Sequence, residues 1–120
     1  MGYDNDNIFA KILRGDIPNK TVYEDDFVLA FHDVSPQAPV HVLVIPKGAY
    51  VDIADFSARA SHTEKAGFFS AVNTIVSELG LNEQGFRTIF NTGDHGGQEV
   101  PHMHMHILGG EKLGAMLGHK

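Results

Sequence analysis

No cysteine occurs anywhere in these 120 residues. That excludes disulfides and thiolate metal sites, and it fits a reducing compartment. Positive charge is scarce too: Lys and Arg number 9 against 15 Asp and Glu, for a formal charge of −6. No global basic field is present to draw in a nucleic-acid polymer. No apolar run approaches the roughly 20 residues that cross a bilayer, so no membrane partner is expected. The start, Met1-Gly2-Tyr3-Asp4-Asn5-Asp6-Asn7, is acidic and polar, without the basic and apolar stretches of a secretory signal. These absences predict a cytoplasmic protein. Repeats and low-complexity tracts are missing, and the length suits one domain over 1–120. Residues 1–6 are expected to be disordered.

What is there is a row of histidines. Pro101-His102-Met103-His104-Met105-His106-Ile107-Leu108 alternates imidazoles with apolar side chains. A β-strand sends successive side chains to opposite faces. His102, His104 and His106 then share one face, while Met103, Met105 and Ile107 turn to a core. Three imidazoles on one edge can supply a nucleophile, a proton relay and phosphate contacts. A metal site is the rival reading. The outer two histidines would lie about 13 Å apart along a strand, which strains one tetrahedral ion, and there is no HExxH. No metal or other cofactor is therefore expected.

Just before the row lies Thr92-Gly93-Asp94-His95-Gly96-Gly97, a glycine-rich loop. Glycines let a backbone approach a ligand and aim several N–H groups one way. A phosphate between loop and row would meet neutral donors on one side and a nucleophile on the other. A second cluster runs from Phe31-His32-Asp33-Val34-Ser35 to His41. Asp33, at a strand end, suits ribose hydroxyls, and His41 suits a partner that fixes an imidazole tautomer. Ile8, Phe9, Ile12, Phe31 and Val34 could be core or could wall a purine slot.

Local signals predict the elements. Asn7 caps a short helix over Ile8–Arg14 that stops at Gly15. Thr21–Tyr23 and Phe27–Asp33 read as strands joined by an acidic turn, and Val40–Ile45 as a third strand. Asp52–Phe56 reads as a short turn of helix. A long helix from Ala58 or Ser61 to Leu79, closed by Gly80, presents Phe68, Phe69, Val72, Ile75, Val76 and Leu79 within about 120° of arc. Phe86–Asn91 is a further strand. The pattern argues for α+β with a mostly antiparallel sheet.

The His102-Met103-His104-Met105-His106 pattern resembles the histidine triad (HIT) superfamily. Ile8-Phe9 and the run from Ser35-Pro36-Gln37-Ala38-Pro39 through His41 to Lys47 look like its Hint branch. Gly96-Gly97-Gln98-Glu99-Val100 and Met116-Leu117-Gly118-His119-Lys120 look like the bacterial form. The resemblance implies a five-stranded antiparallel sheet with one short and one long helix, dimerising into a continuous ten-stranded sheet. It implies hydrolysis of purine nucleoside phosphoramidates at the P–N bond, with AMP or GMP as product. His104 matches the nucleophile, His102 and His106 its neighbours near the phosphate, and His41 the distal partner. On the nucleotide side stand Ile8, Phe9, Ile12, Phe31, His32, Asp33, Val34, Asn91, Gln98, Glu99 and Val100. Residues 113–120 are a tail near the active site of a homodimer. Many relatives carry a serine in place of Glu99 and an aromatic in place of Pro101. The alternatives are a dinucleoside polyphosphate hydrolase and a non-catalytic purine nucleotide-binding or partner protein.

Overall fold

Both ends of the two well-capped helices follow from single residues. In the computed structural model, which describes residues 2–118, Asn7 Oδ1 accepts from Ala10 N at 2.9 Å and opens α1 (Ile8–Leu13). Gly15 closes it at φ 84°, with Gly15 N on Ile12 O and Asp16 N on Lys11 O. That is a Schellman ending, which needs a left-handed residue. The long helix, α3 (His62–Glu78), starts on a reciprocal capping box between Ser61 and Glu64. It ends the same way, with Gly80 at φ 70° and Leu81 N on Val76 O.

Between them lie β1 (Thr21–Glu24), β2 (Val28–His32), β3 (Val40–Pro46) and α2 (Ile53–Arg59); β4 (Arg87–Phe90) and β5 (Met105–Gly109) follow α3. All five strands form one antiparallel sheet in the order β1-β2-β3-β5-β4. The β1–β2 turn is held by Asp25, whose Oδ1 accepts from Phe27 N and Val28 N.

The sheet has a core on each face. On one, α2 and α3 cover Val28, Ala30, Val42, Val44, Met103, Met105 and Ile107. On the other, α1 lays Phe9 and Ile12 over Leu29, Phe31, Leu43 and Ile45. Burying one such side chain contributes about 1.5–3 kcal/mol.

Three expectations need correction. The Asp52–Phe56 turn is a full helix, so the described residues form three helices, not two. Its cap is Asp52, which accepts from Asp55 N at 2.7 Å. The face of α3 is rotated from the predicted stripe: Phe68, Ala71, Ile75 and Val76 are buried, whereas Phe69 is 53% exposed. Ala71 sits inside because its small side chain permits close approach to the sheet. Finally, the three histidines do not share one strand. β5 starts only at Met105. Pro101 has no N–H to give a ladder, His102 N turns back to Val100 O, and Met103 N bonds Tyr50 O. The alternation itself persists: Met103, Met105 and Ile107 are all in the α3-side core.

The end of the chain crosses the β4 side of the molecule. Arg87 donates to Gly114 O at 2.8 Å and to Ala115 O at 3.5 Å. His119 and Lys120, part of the predicted tail, lie outside the described residues, as does Met1. The rest of the segment expected to be disordered makes specific contacts, with Asp4 O accepting from Asn7 N and Nδ2 and Asn5 O from Arg14. No described helix is long and apolar enough to cross a membrane.

Candidate active site

On the α1 face a cavity of about 410 Å³ opens between α1, the loop after β2 and the segment 97–100. That volume is of small-ligand size. α1 brings Ile8, Phe9 and Ile12; β2 and its loop bring Phe31, Asp33 and Val34. Asn91, Glu99 and Val100 come from beyond β4, and His104 and His106 form the floor. Eleven predicted site residues therefore meet in one place. Gly97 of the glycine-rich loop lines it too, as do Ser35, Gln37 and Leu43, which the sequence offered only as parts of longer motifs. Leu43 is there because it pairs with His106 across β3 and β5, a register that local sequence does not display.

Four predicted residues lie outside the lining. His32 is exposed on the opposite face of β2 from Phe31. Gln98 is occupied with the chain: Nε2 donates to Val51 O at 2.7 Å and Val100 O at 2.9 Å, and Oε1 accepts from Gly93 N at 3.1 Å. It shapes the glycine-rich loop from inside. His102 and His41 are buried behind the site.

The hydrogen bonds assign the imidazole protons. Gln37 N donates to His41 Nδ1 at 3.1 Å, so neutral His41 carries its proton on Nε2. That nitrogen stands 2.9 Å from His106 Nδ1 and 3.4 Å from Asp33 Oδ2. His106 Nδ1 accepts, so its own proton sits on Nε2, which pairs with the Asn91 amide 3.5 Å away when that amide turns its Oδ1 rather than its Nδ2 to the ring. His104 Nδ1 lies 2.7 Å from the His102 carbonyl and must donate to it. Nε2 of His104 is left as a bare lone pair. His102 Nε2 donates to Pro46 O at 2.9 Å. Its Nδ1 accepts from the hydroxyl of Tyr3, a contact that sequence reasoning missed.

Burial favours the neutral form of His102, His104 and His106. His102 is pushed down to about 4, chiefly by desolvation, with the Pro46 carbonyl pulling the other way and His104 adding repulsion. His106 falls to about 4 through desolvation, then repulsion from His104 and His41. His104 is lowered by desolvation, against its bond to the His102 carbonyl and the negative charges of Asp33 and Glu99. Phe9 meets the His104 ring edge-to-face, centroids 5.0 Å apart. A neutral imidazole with its lone pair fixed by a carbonyl on the other nitrogen is a nucleophile.

Donor atoms of Asp33, His41 and His106 gather within 4.8 Å of one another, close enough to share an ion. The 2.9 Å between the two ring nitrogens is a hydrogen-bond separation. Two nitrogens on one tetrahedral zinc would stand about 3.3 Å apart. As they stand, the two rings are spaced as a hydrogen-bonded pair.

A HIT domain family model matches residues 14–113. A 13.2 kDa HIT-like protein of Azospirillum brasilense is 55% identical over 115 residues, which are 96% of this chain and 94% of that protein. A purine nucleoside phosphoramidase of Escherichia coli is 49% identical over 116 residues, 96% of each chain. Among solved structures, a HIT family hydrolase from Clostridium thermocellum superposes with a TM-score of 0.85 at 36% identity, over 95% of this chain and 98% of that one.

Proposed function

We propose that this chain, which belongs to the HIT domain family, hydrolyses purine nucleoside phosphoramidates, cleaving the P–N bond of AMP–amine conjugates through a nucleotidyl-His104 intermediate. The observation that carries the reading is the 2.7 Å bond from His104 Nδ1 to the His102 carbonyl. It directs the unprotonated Nε2 of a neutral imidazole to the cavity side of the ring. The name of the Escherichia coli relative points to the same reaction.

The chemistry follows from the site. Nε2 of His104 attacks phosphorus, forming an N–P bond as the bond to the amine breaks. The Nδ1–H bond to the carbonyl stabilises the positive charge that grows on the ring. The departing amine takes up a proton that originates in solvent, relayed through the substrate or through a His106–His41 pair that has first gained one. Water then cleaves the adenylyl-histidine to AMP and restores His104. Splitting one displacement into two is covalent catalysis, and the nucleophile and donors come from the chain itself. Asp33 holds the ribose hydroxyls; Ile8, Phe9, Ile12, Phe31 and Val34 take the purine. The backbone from Gly97 to Val100 serves the phosphate and the leaving group. The working unit is a homodimer in the cytoplasm.

The test is a turnover assay that compares an AMP–lysine conjugate with a diadenosine polyphosphate, with mass spectrometry of the acid-sensitive intermediate. Preferential cleavage of the polyphosphate would move the assignment to a dinucleotide hydrolase. AMP binding without turnover of either substrate would leave a nucleotide-binding protein.

A further inference from the structure

The nucleophile depends on a carbonyl that the sheet does not hold. His104 Nδ1 donates to His102 O, yet the β5 ladder begins only at Met105. The residue before His102 is a proline, and His102 N is spent on Val100 O at 2.8 Å. The peptide that carries the carbonyl is pinned on its other side by Met103 N on Tyr50 O at 2.8 Å, and the side chain of His102 adds two further ties. Nε2–H is tied to Pro46 O at 2.9 Å. A neutral ring has one N–H, so Nδ1 must be the acceptor, and its donor is the hydroxyl of Tyr3. The Tyr3 ring also meets the His102 ring edge-to-face, centroids 5.6 Å apart at 71°. His102 is fully buried, so water cannot substitute for that hydroxyl without rearrangement.

We propose that Tyr3 is a positioning residue of the active site: its hydroxyl, donating to His102 Nδ1, locks the ring whose own carbonyl orients His104. Tyr3 does not line the cavity; it reaches His102 from behind, 99 residues away in sequence. The N-terminal segment thereby becomes part of the catalytic support. Without the hydroxyl, the His102 ring keeps the Pro46 bond and its packing against Phe9 but loses the tie that sets its tilt. The loosening passes to the His102 carbonyl, opposed only by the Met103–Tyr50 bond, and shifts the line of attack from His104 Nε2.

The consequence for turnover rests on the phosphoramidate reading; the hydrogen bond does not. Two variants separate hydroxyl from packing. Tyr3→Phe keeps the ring contact and loses the donor, whereas Tyr3→Leu loses both. The expected result is a kcat lowered roughly three- to tenfold in both, with KM for an AMP–amine conjugate within about twofold of the unmutated protein. Nitrogen NMR of protein labelled at the histidine rings should show the His102 Nδ1 resonance moving, in Tyr3→Phe, toward that of an unbonded ring nitrogen. A Tyr3→Phe protein with unchanged kcat, or with a raised KM alone, overturns the positioning role. An unshifted Nδ1 resonance overturns the hydrogen bond. If the unmutated chain turns over no phosphoramidate, the function fails, and the NMR comparison still decides the Tyr3–His102 bond.

Discussion

His104 and Asp33 share a cavity but should fail in different ways. On the proposed reading, replacing His104 with Asn removes the attacking atom and leaves the purine and ribose contacts in place. Turnover is expected to fall by about three orders of magnitude or more, while AMP binding by calorimetry and the melting temperature stay close to those of the unmutated protein. Near-normal hydrolysis would sink the nucleophile assignment. On the proposed reading Asp33 holds the sugar, so Asp33→Ala should raise KM more than it lowers kcat. The loss of a charge-assisted pair, about 1.5–3 kcal/mol, corresponds to roughly 10- to 150-fold in kcat/KM. The preference for ribose over deoxyribose should narrow in parallel. Equal handling of both sugars by the unmutated protein would remove Asp33 from the ribose.

The buried imidazoles also set an acid limit. His102 and His106 are lowered from 6.5 to about 4. Between those values the unfolded chain binds protons that the folded chain refuses, so stability rises with pH across that window. Melting temperature should be level near pH 7 and decline as pH falls from about 6.5 toward 4. A level profile down to pH 4.5 would mean that neither ring resists protonation.

At the scale of the elements, α3 carries an internal tension. Gly67 sits mid-helix, where alanine would be favoured by about 1 kcal/mol. A Cβ there, however, would stand 2.4 Å from Cγ and Cδ2 and 3.0 Å from Cβ of Phe27. Cγ and Cβ lie near the backbone and cannot swing aside as a ring tip can. Gly67→Ala should therefore destabilise by about 1–2 kcal/mol net, read as a lower urea midpoint with unchanged slope. A stabilised variant would show that Phe27 moves freely.

The elements also separate what the chain discloses locally from what it does not. Asn7, Gly15, Ser61 and Gly80 act within a turn of their own positions, so the limits of α1 and α3 were legible. So was the alternation from His102 to His106, because one apolar face must reach the core. The late start of β5 was not, since it depends on Tyr50 taking the Met103 N–H from 53 positions away. The rotation of α3 that exposes Phe69 depends on packing against the sheet, which periodicity alone does not set. Gln98 was placed by sequence on the nucleotide side, yet its amide serves Val51 and Val100. A side chain that holds a loop and one that holds a ligand look alike until the partners are visible.

At the scale of the whole molecule, the sheet ends in two unlike edges. β1 is short, irregular between Thr21 and Tyr23, and carries Glu24, features that discourage pairing. β4 is flanked by apolar surface. Phe86 is 40% exposed and Phe69 is 53% exposed. Phe69 packs on Phe68, which in turn meets Phe90 of β4, centroids 5.2 and 6.2 Å apart. An open strand edge beside exposed aromatics is the surface that a second copy would cover, and an isologous two-fold contact there would continue the sheet to ten strands. Arg87 holds the tail at Gly114 and Ala115 on the same side, and Met116 and Leu117 stand exposed beyond it. We expect a homodimer at micromolar concentration by sedimentation. Phe69→Glu should place a charge in that contact and weaken dimerisation at least about 100-fold. Deleting residues 113–120 should change selectivity among amine leaving groups more than it changes the melting temperature. A protein that sediments as a monomer while fully active would show that the β4 edge is neither paired nor needed.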